Sequence, residues 1–581
     1  MAWDYVAPLR DMRFVIERVL DAPASWRECA AFAELDTDTA AAVLQEAARF
    51  AREMLLPINA RGDAEGCRLD ADGQVRTPQG FRAAYQAFVE AGWPALPCAP
   101  EWGGQGLPLL LDAALREMLD ACNHGWNMYP DLLHGAYEAI KAHASDELKA
   151  RYLAKVASGE WLAAMALTEP QAGSDLGLLR TRGEPQPDGS LRLHGSKIFI
   201  SGADHDLTDN IVHLVLCRLP DAPPGSKGIS LALVPKWLPD GTRNAIHVDG
   251  LEHKMGIHAS ATCALRYEGA TGWLVGEPNR GLAAMFVMMN SARLHVGLQG
   301  LGHQEMATQN AARHAAERLQ GGGKAIAEHP AVRHLLLRSQ ALLEAQRVIA
   351  YRAALALDEA AHHADAARRE RATRLAALLT PVIKAFCTDQ GFEGASRALQ
   401  VFGGYGYVRE TGIEQTLRDA RIAMVYEGTN EIQAIDLVQR KLLADGGAAA
   451  AQLMQEIDAE AARCAALPAL VDLGRALAEQ AALARSGLQQ LATVAGTAPD
   501  APLRLAADVM AGFSHLLLAW AFAASARAAV AEADGAWAGA KAERMRYGMQ
   551  WIVPQAAVHW QRVAAGMPAL PPAGVIAAGL G

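Results

Sequence analysis

Between residues 36 and 56, apolar side chains recur at Val43, Ala47, Phe50 and Met54, with Leu44, Ala48, Ala51 and Leu55 beside them. That recurrence predicts an amphipathic helix, capped by Thr37 or Asp38 and stopped at Pro57. Residues 81–93 repeat the pattern, and a turn-rich loop follows at 97–108. Near Trp161 the period changes. Leu191 and Leu193 alternate with Arg192 and His194, and Lys197, Ile198, Phe199, Ile200 and Ser201 prolong the extended run. Short strand-like runs at 211–216 and 228–234 are bounded by prolines, so residues 165–280 are expected to form a compact β region. Helical spacing returns at 282–318, 334–362, 375–402 and 429–443. Beyond Gly446 an alanine-heavy tail predicts helices at 451–467, 470–493, 502–533 and 536–566, punctuated by Pro499, Pro502 and Gly535.

Composition narrows the function classes. A chain of 581 residues suggests about three or four domains, and 51% hydrophobic with 20% charged residues fits a well-folded globular protein. The net charge of −10 argues against a nucleic-acid binder, which would show a basic face. Eight cysteines without a CxxC pair fit reduced thiols rather than a disulfide framework or zinc site, and no metal is expected. Residues 1–13 carry Asp4, Arg10, Asp11 and Arg13 with no apolar core after them, so a cytoplasmic protein is expected. The uncharged run 509–526 contains Gly512, Ser514, His515 and Ser525; it reads as a buried bundle helix, and no integral membrane segment is expected.

The candidate chemistry centres on Glu427, in the segment Tyr426-Glu427-Gly428-Thr429. A carboxylate beside glycine can project into a crevice, and burial there would raise its pKa towards that of a general base; taken alone, the segment reads more readily as a helix cap, and the other segments reverse that weighting. The loop Thr168-Glu169-Pro170-Gln171-Ala172-Gly173-Ser174-Asp175 offers hydroxyls and exposed N–H groups at the helix-to-strand transition. Other patterns read as structural. Gly297-Leu298-Gln299-Gly300-Leu301-Gly302 has the wrong order for a dinucleotide fingerprint and reads as helix packing. His362-His363 is expected on a solvated helix face, and Trp520, Trp551 and Trp560 in the bundle core.

Taken in order, the 168–175 loop, the 197–201 strand, the segments 254–262 and 274–281, Gln400-Val401-Phe402-Gly403-Gly404, Leu417-Arg418-Asp419-Ala420-Arg421 and Tyr426-Glu427-Gly428-Thr429 closely resemble the acyl-CoA dehydrogenase family of flavoproteins, over residues 35–443. The opening segment 4–14 and the long tail resemble the longer members, among them fatty acyl-CoA and 3-methylmercaptopropionyl-CoA dehydrogenases. The resemblance implies an α+β acyl-CoA dehydrogenase fold. Its parts would be a strap (1–34), an N-terminal helical domain (35–162), a central β domain (163–280), a C-terminal four-helix-type domain (281–445) and an additional helical bundle (446–581).

It also implies FAD as cofactor and α,β-dehydrogenation of an acyl-CoA thioester. Glu427 would take the α proton and flavin N5 the β hydride, while the Glu427 N–H and a ribityl hydroxyl bond the thioester oxygen. By the same resemblance, Leu167 and Thr168 meet the flavin's pyrimidine edge, and Phe199, Ile200 and Ser201 line the flavin. Gly173 and Ser174 border the cofactor or thioester arm. Arg318, Gln400, Gly403 and Gly404 contact the FAD of a neighbouring subunit in a homodimer, and Thr429, Asn430 and Glu431 meet its adenosine diphosphate. Arg293, Tyr426 and Gly428, with Ser174, are the implied substrate contacts. Met165, Phe199 and Ser201 stand where the family often has an aromatic, a tryptophan and a threonine. Arg318 is followed by Leu-Gln-Gly-Gly-Gly rather than the usual short motif. An electron-transferring flavoprotein is the expected acceptor. The alternatives are an acyl-CoA oxidase using O₂, which the ending Gly579-Leu580-Gly581 does not favour, and a flavin-bearing DNA-protection protein, which the acidic balance does not favour.

Overall fold

The computed structural model of the chain describes residues 3–498, 500–566 and 574–575; the expected break at Pro499 lies outside them. Helix α1 (Thr37–Phe50) is capped by Asp36, one residue earlier than expected, with its carboxylate accepting from the Thr39 N–H at 2.6 Å. Pro57 does not stop the helix. A wide turn of π type at Ala51–Leu55 precedes it, and the rod continues as Leu56–Glu65 with the proline in its first turn, where its missing N–H costs nothing. After α2 (Phe81–Glu90), helix α3 (Leu109–Asn127) is buried from Leu110 onward, although it carries Asp112, Arg116, Glu117, Asp120 and His124. It breaks at Asn123 (φ −163°, ψ 81°), whose side-chain oxygen accepts from the Trp126 N–H at 3.0 Å and starts the next turn. Helix α4 (Leu133–His143) follows.

The central sheet has seven strands: β1 (Leu162–Ala166), β2 (Arg182–Pro185), β3 (Leu191–Ser201), β4 (Ile211–Cys217), β5 (Ser230–Pro235), β6 (Ile246–Leu251) and β7 (Thr262–Val275). Its order is β1-β4-β5-β7-β3-β2, with β6 also on β7; β1–β4 is parallel and the other pairs are antiparallel. Between Lys197 and Ile200 the β3–β7 register slips, a bulge that turns Phe199 to a φ of 60° and leaves it 59% exposed.

Helix α5 (Gly281–Glu317) runs for 37 residues, followed by α6 (Pro330–His362). The expected helix 375–402 proves to be α7 (Ala366–Val382) and α8 (Thr388–Phe402), joined through a second π-type turn at Ile383–Cys387. The glycine-rich run 297–302 is a packing seam. A Cβ on Gly300 would lie 2.3 Å from the Cys387 carbonyl oxygen, and one on Gly391 2.5 Å from the Gly300 oxygen. Backbone contact there draws the Ile383–Cys387 turn against α5.

Helix α9 (Asn430–Asp436) leads through the turn Leu437–Leu443 to the tail: α10 (Ala448–Ala465), α11 (Val471–Thr497), α12 (Ala501–Val530), α13 (Gly535–Trp551) and α14 (Ala556–Ala565). The expected helix 536–566 is thus two helices, divided by a 3₁₀ turn at Val553–Gln555 that contains Pro554. By length and composition α12 could cross a membrane, but 89% of its most apolar window is buried inside the protein, under α6 and the other tail helices. Trp520 and Trp560 are buried as expected. Trp551 is 60% exposed, because it ends α13 and stacks on Tyr547 at the surface. His363 is also a correction: it is buried, its Nε2 2.8 Å from Glu28 Oε2 where the chain folds back past α6. The N-terminal segment is locked in place by Asp11, which binds both Arg347 of α6 and Lys541 of α13.

Candidate active site

Residues 425–429 link a 3₁₀ turn at Arg421–Met424 to α9, whose first turn is capped by Thr429 Oγ1 accepting from the Ile432 N–H at 3.4 Å. Within the link Glu427 (φ 56°) and Gly428 (φ 86°) are both left-handed. Glycine adopts this freely; a glutamate does so only where its surroundings hold it, a kind of strain that gathers at functional sites. Burial pushes the Glu427 carboxyl up and nearby Asp131 adds to it. The charges of Arg293 and Lys384 pull the other way, leaving it at about 7. A carboxyl so placed can take a proton near neutral pH and hold it. Arg293 lies buried in α5, its Nη1 3.4 Å from Asp436 Oδ2 and its Nε without a hydrogen-bond partner.

Tyr426 carries a feature the sequence reading missed. Its hydroxyl bonds His124 Nε2 at 3.1 Å, Gln299 Oε1, and Met128 Sδ at 3.5 Å. His124 Nδ1 meets His303 Nε2 at 2.9 Å, and Gln299 Nε2 donates to Asp131 Oδ2 at 3.2 Å. Burial keeps both imidazoles neutral, His303 down at about 4. The signal was legible as spacing. Asp112, Arg116, Asp120 and His124 on α3, and His295, Gln299 and His303 on α5, each recur every fourth residue, which puts each set on one helix face. The two faces meet, with His295 Nε2 3.6 Å from Asp112 Oδ2 and His124 on His303.

The 168–175 loop is held from inside. Glu169, 3% exposed, accepts from Lys197 Nζ at 2.9 Å and from the N–H groups of Arg180 and Thr181 at 2.7 and 3.0 Å. Lys197, fully buried, also donates to the Leu167 carbonyl at 2.8 Å. The Ile198 N–H donates to the Thr168 carbonyl at 3.0 Å, so the loop lies beside the Phe199 bulge. Gly173 and Ser174 are exposed, and nothing lies within 4 Å of a Cβ placed on Gly173. Ile200 is buried and faces the core, so only its backbone is free to meet a ligand. Tyr129 ties this region to the base: its ring lies 3.6 Å from a Cβ built on Gly202, while the adjacent Met128 bonds Tyr426.

Arg318, Gly403 and Gly404 come together in a cleft of about 550 Å³ with His314, Phe402 and Tyr405. The Arg318 guanidinium stands 5.3 Å over the Tyr405 ring, and His314 stacks on Phe402 at 4.4 Å. Gln400 is exposed on the last turn of α8. Among the described residues, no hydrogen bond, ion pair or ring contact joins this cleft to the 168–175 loop or the Phe199 bulge. Glu431 is exposed, whereas the Asn430 side chain is engaged within the chain. Its side-chain amide is spent within the chain, on Lys384 (2.9 Å), Thr388 (3.0 Å) and Asp389 (2.6 Å), so it fixes the loop rather than presenting a group outward. Lys384 and Gln433, which grip the same loop, were also missed; a lone lysine in the apolar run 381–387 was the available signal.

Helices flanking a mixed sheet, a strained glutamate poised near neutrality and an exposed aromatic bulge beside a glycine loop define the class. Three family models match in order: the N-terminal domain of acyl-CoA dehydrogenase over residues 37–160, its middle domain over 164–270 and its C-terminal domain over 279–443. The chain belongs to the acyl-CoA dehydrogenase family and is an oxidoreductase. It is 42% identical to 3-methylmercaptopropionyl-CoA dehydrogenase of Ruegeria pomeroyi, over 91% of this chain and 92% of that one. It is 35% identical to a butyryl-CoA dehydrogenase of Syntrophomonas wolfei, over 75% and 76%. The structure of a Bacillus anthracis acyl-CoA dehydrogenase complexed with FAD shares the fold, with a TM-score of 0.75 at 20% identity over 96% of this chain and 92% of that one, the tail included.

Proposed function

We propose that this enzyme oxidises the Cα–Cβ bond of a short acyl-CoA thioester to the trans-2-enoyl-CoA, with FAD as its redox cofactor and Glu427 as the base. The observation that carries this is Glu427 itself, strained, sheltered and held at about 7. FAD, when bound, supplies the hydride acceptor. The residues fit it: the 168–175 loop offers backbone groups and an open Gly173, Phe199 offers an exposed ring, and the Arg318 cleft offers a cation with stacked rings. Among the described residues that cleft makes no bond to the loop of its own chain, which supports a homodimer in which each subunit completes its partner's cofactor site. The base must reach the α carbon while the Glu427 N–H polarises the thioester oxygen and so acidifies the α proton.

Two observations support a short acyl group. Tyr426, next to the base, is fixed by its bonds to His124, Gln299 and Met128, and the ground behind it is polar, unsuited to a long alkyl chain. Both curated relatives named above carry short acyl substrates in their names. Electrons leave to an electron-transferring flavoprotein. Eight unpaired cysteines support a reducing, cytoplasmic setting.

The test is anaerobic titration of the yellow protein with butyryl-, 3-methylmercaptopropionyl-, octanoyl- and palmitoyl-CoA. Bleaching confined to the first two is expected. A protein that cannot be loaded with FAD, or that bleaches with none of them, refutes the reading; bleaching best with palmitoyl-CoA refutes its chain length. Reoxidation faster with O₂ than with an electron-transferring flavoprotein would make it an oxidase.

A further inference from the structure

Lys384 is fully buried in the Ile383–Cys387 turn that the glycine seam draws against α5. Its Nζ donates to the Gly428 carbonyl at 2.7 Å and to Asn430 Oδ1 at 2.9 Å. From the other side, Gln433 Nε2 donates to the Glu427 carbonyl at 3.0 Å and to the Gly428 carbonyl at 3.5 Å. The carbonyls of both left-handed residues are therefore gripped by buried side chains, and a carbonyl fixed in space fixes its whole peptide plane. We propose that Lys384 is the positioning residue for the base: with Gln433 it pins the Gly428 carbonyl, and so the link that carries Glu427, and the carboxylate keeps one aim throughout turnover. This rests on the reading of Glu427 as general base.

A buried ammonium is an expensive clamp, and its charge has a second effect. Glu427 is faced by Arg293 from α5, by Lys384, and by Asp131 from the segment before α4. Lys384 is faced by Glu427, Asp389 of α8, Arg293 and Glu431 of α9. Lys384 favours the ionised carboxylate, whereas an apolar side chain of equal length would not. The charge acts on the acid limb, whereas the clamp acts on kcat where Glu427 is already ionised. The two roles separate in the pH dependence.

Lys384→Met is expected to give a holoenzyme that keeps its flavin spectrum and binds an unreactive acyl-CoA with unchanged Kd. Its kcat should fall tenfold or more even on the plateau above the limb, where Glu427 is ionised, while KM changes little, and the acid limb of kcat/KM should move up by about one pH unit. The infrared band of the protonated Glu427 carboxyl, with Glu427→Gln as blank, should titrate with the same displacement. Lys384→Arg, which restores the charge, should return the limb to its wild-type position. Where Lys384→Met yields no holoenzyme, Lys384→Gln keeps a donor without the charge and must show the same displacement. A plateau kcat equal to wild type in Lys384→Met, or a loss confined to stability, would overturn the proposal, and an unmoved limb and infrared titration would overturn the charge effect that accompanies it. A wild-type enzyme that no acyl-CoA bleaches would instead overturn the parent reading.

Discussion

The Glu169–Lys197 pair makes a quantitative prediction about how the 168–175 loop is held. Both groups are buried, and each responds differently. Burial pushes the Glu169 carboxyl up, but Lys197 and the N–H donors of Arg180 and Thr181 pull it down to about 2, worth about 3 kcal/mol in favour of its ionised form. Burial lowers the Lys197 ammonium, and Glu169 restores it only to about 8, a cost of about 3 kcal/mol. These contributions nearly cancel, so the intact pair adds little net stability, while either half alone leaves an uncompensated charge or unmet donors. Glu169→Gln should therefore destabilise the holoenzyme by about 3 kcal/mol, Lys197→Met by a similar amount, and the double variant by only about 1 kcal/mol. The sign with pH follows. Because the Glu169 carboxyl is depressed, its contribution is complete above about pH 5 and fades as pH falls towards 2; the Lys197 penalty is constant below about pH 8. The assay is unfolding at saturating FAD, followed by release of flavin fluorescence at pH 7 and pH 4. Additive single-variant losses, or a Glu169→Gln enzyme within about 0.5 kcal/mol of wild type, would show that the loop is not held by this pair.

Glu427→Gln should retain FAD and bind acyl-CoA while losing about 10²–10⁴-fold in kcat; near-normal turnover would pass the role of base to another residue. In the wild type, kcat/KM should rise about tenfold per pH unit up to about pH 7 and then level off, since the base works ionised. Arg293→Leu removes a charge that favours the carboxylate and should shift that limb upward, and a downward shift would contradict the electrostatic reading. Truncation after residue 445 strips α12 from α6 and deprives Asp11 of Lys541. Light scattering should then show aggregation or an assembly other than the dimer proposed for the full chain, and a monodisperse, fully active truncation would deny the tail its structural role.

The fold class was legible because it rests on local period. Alternation gave β3, 3.6-residue recurrence gave α1 and α5, and proline and glycine marked the β region's edges. Errors fell where a wide turn or a distant partner overrides the local rule. Pro57 reads as a stop because the preceding π-type turn is invisible in residue type, and the rod continues through it. His363 reads as solvated because Glu28, its hydrogen-bond partner, lies 335 residues away.

The same distinction governs the site. Glu427 was picked out by the ordered motifs around it rather than by its immediate neighbours, which alone favour a helix cap, although Gly428 signals the left-handed turn by identity. What sets the base's properties is contributed from elsewhere: Arg293, Lys384 and Asp131 reach it from three separate elements, and no spacing within residues 423–433 encodes them. The polar wall behind Tyr426 is the intermediate case. Each helix carries its half as a four-residue repeat that can be read in isolation, but a buried polar stripe is unstable without a partner. Finding one such stripe in an apolar helix therefore demands a second elsewhere in the chain. Asp112–Arg116–Asp120–His124 and His295–Gln299–His303 meet that demand together, which makes matched polar repeats a stronger pointer to a buried helix pairing in this chain than either helix alone.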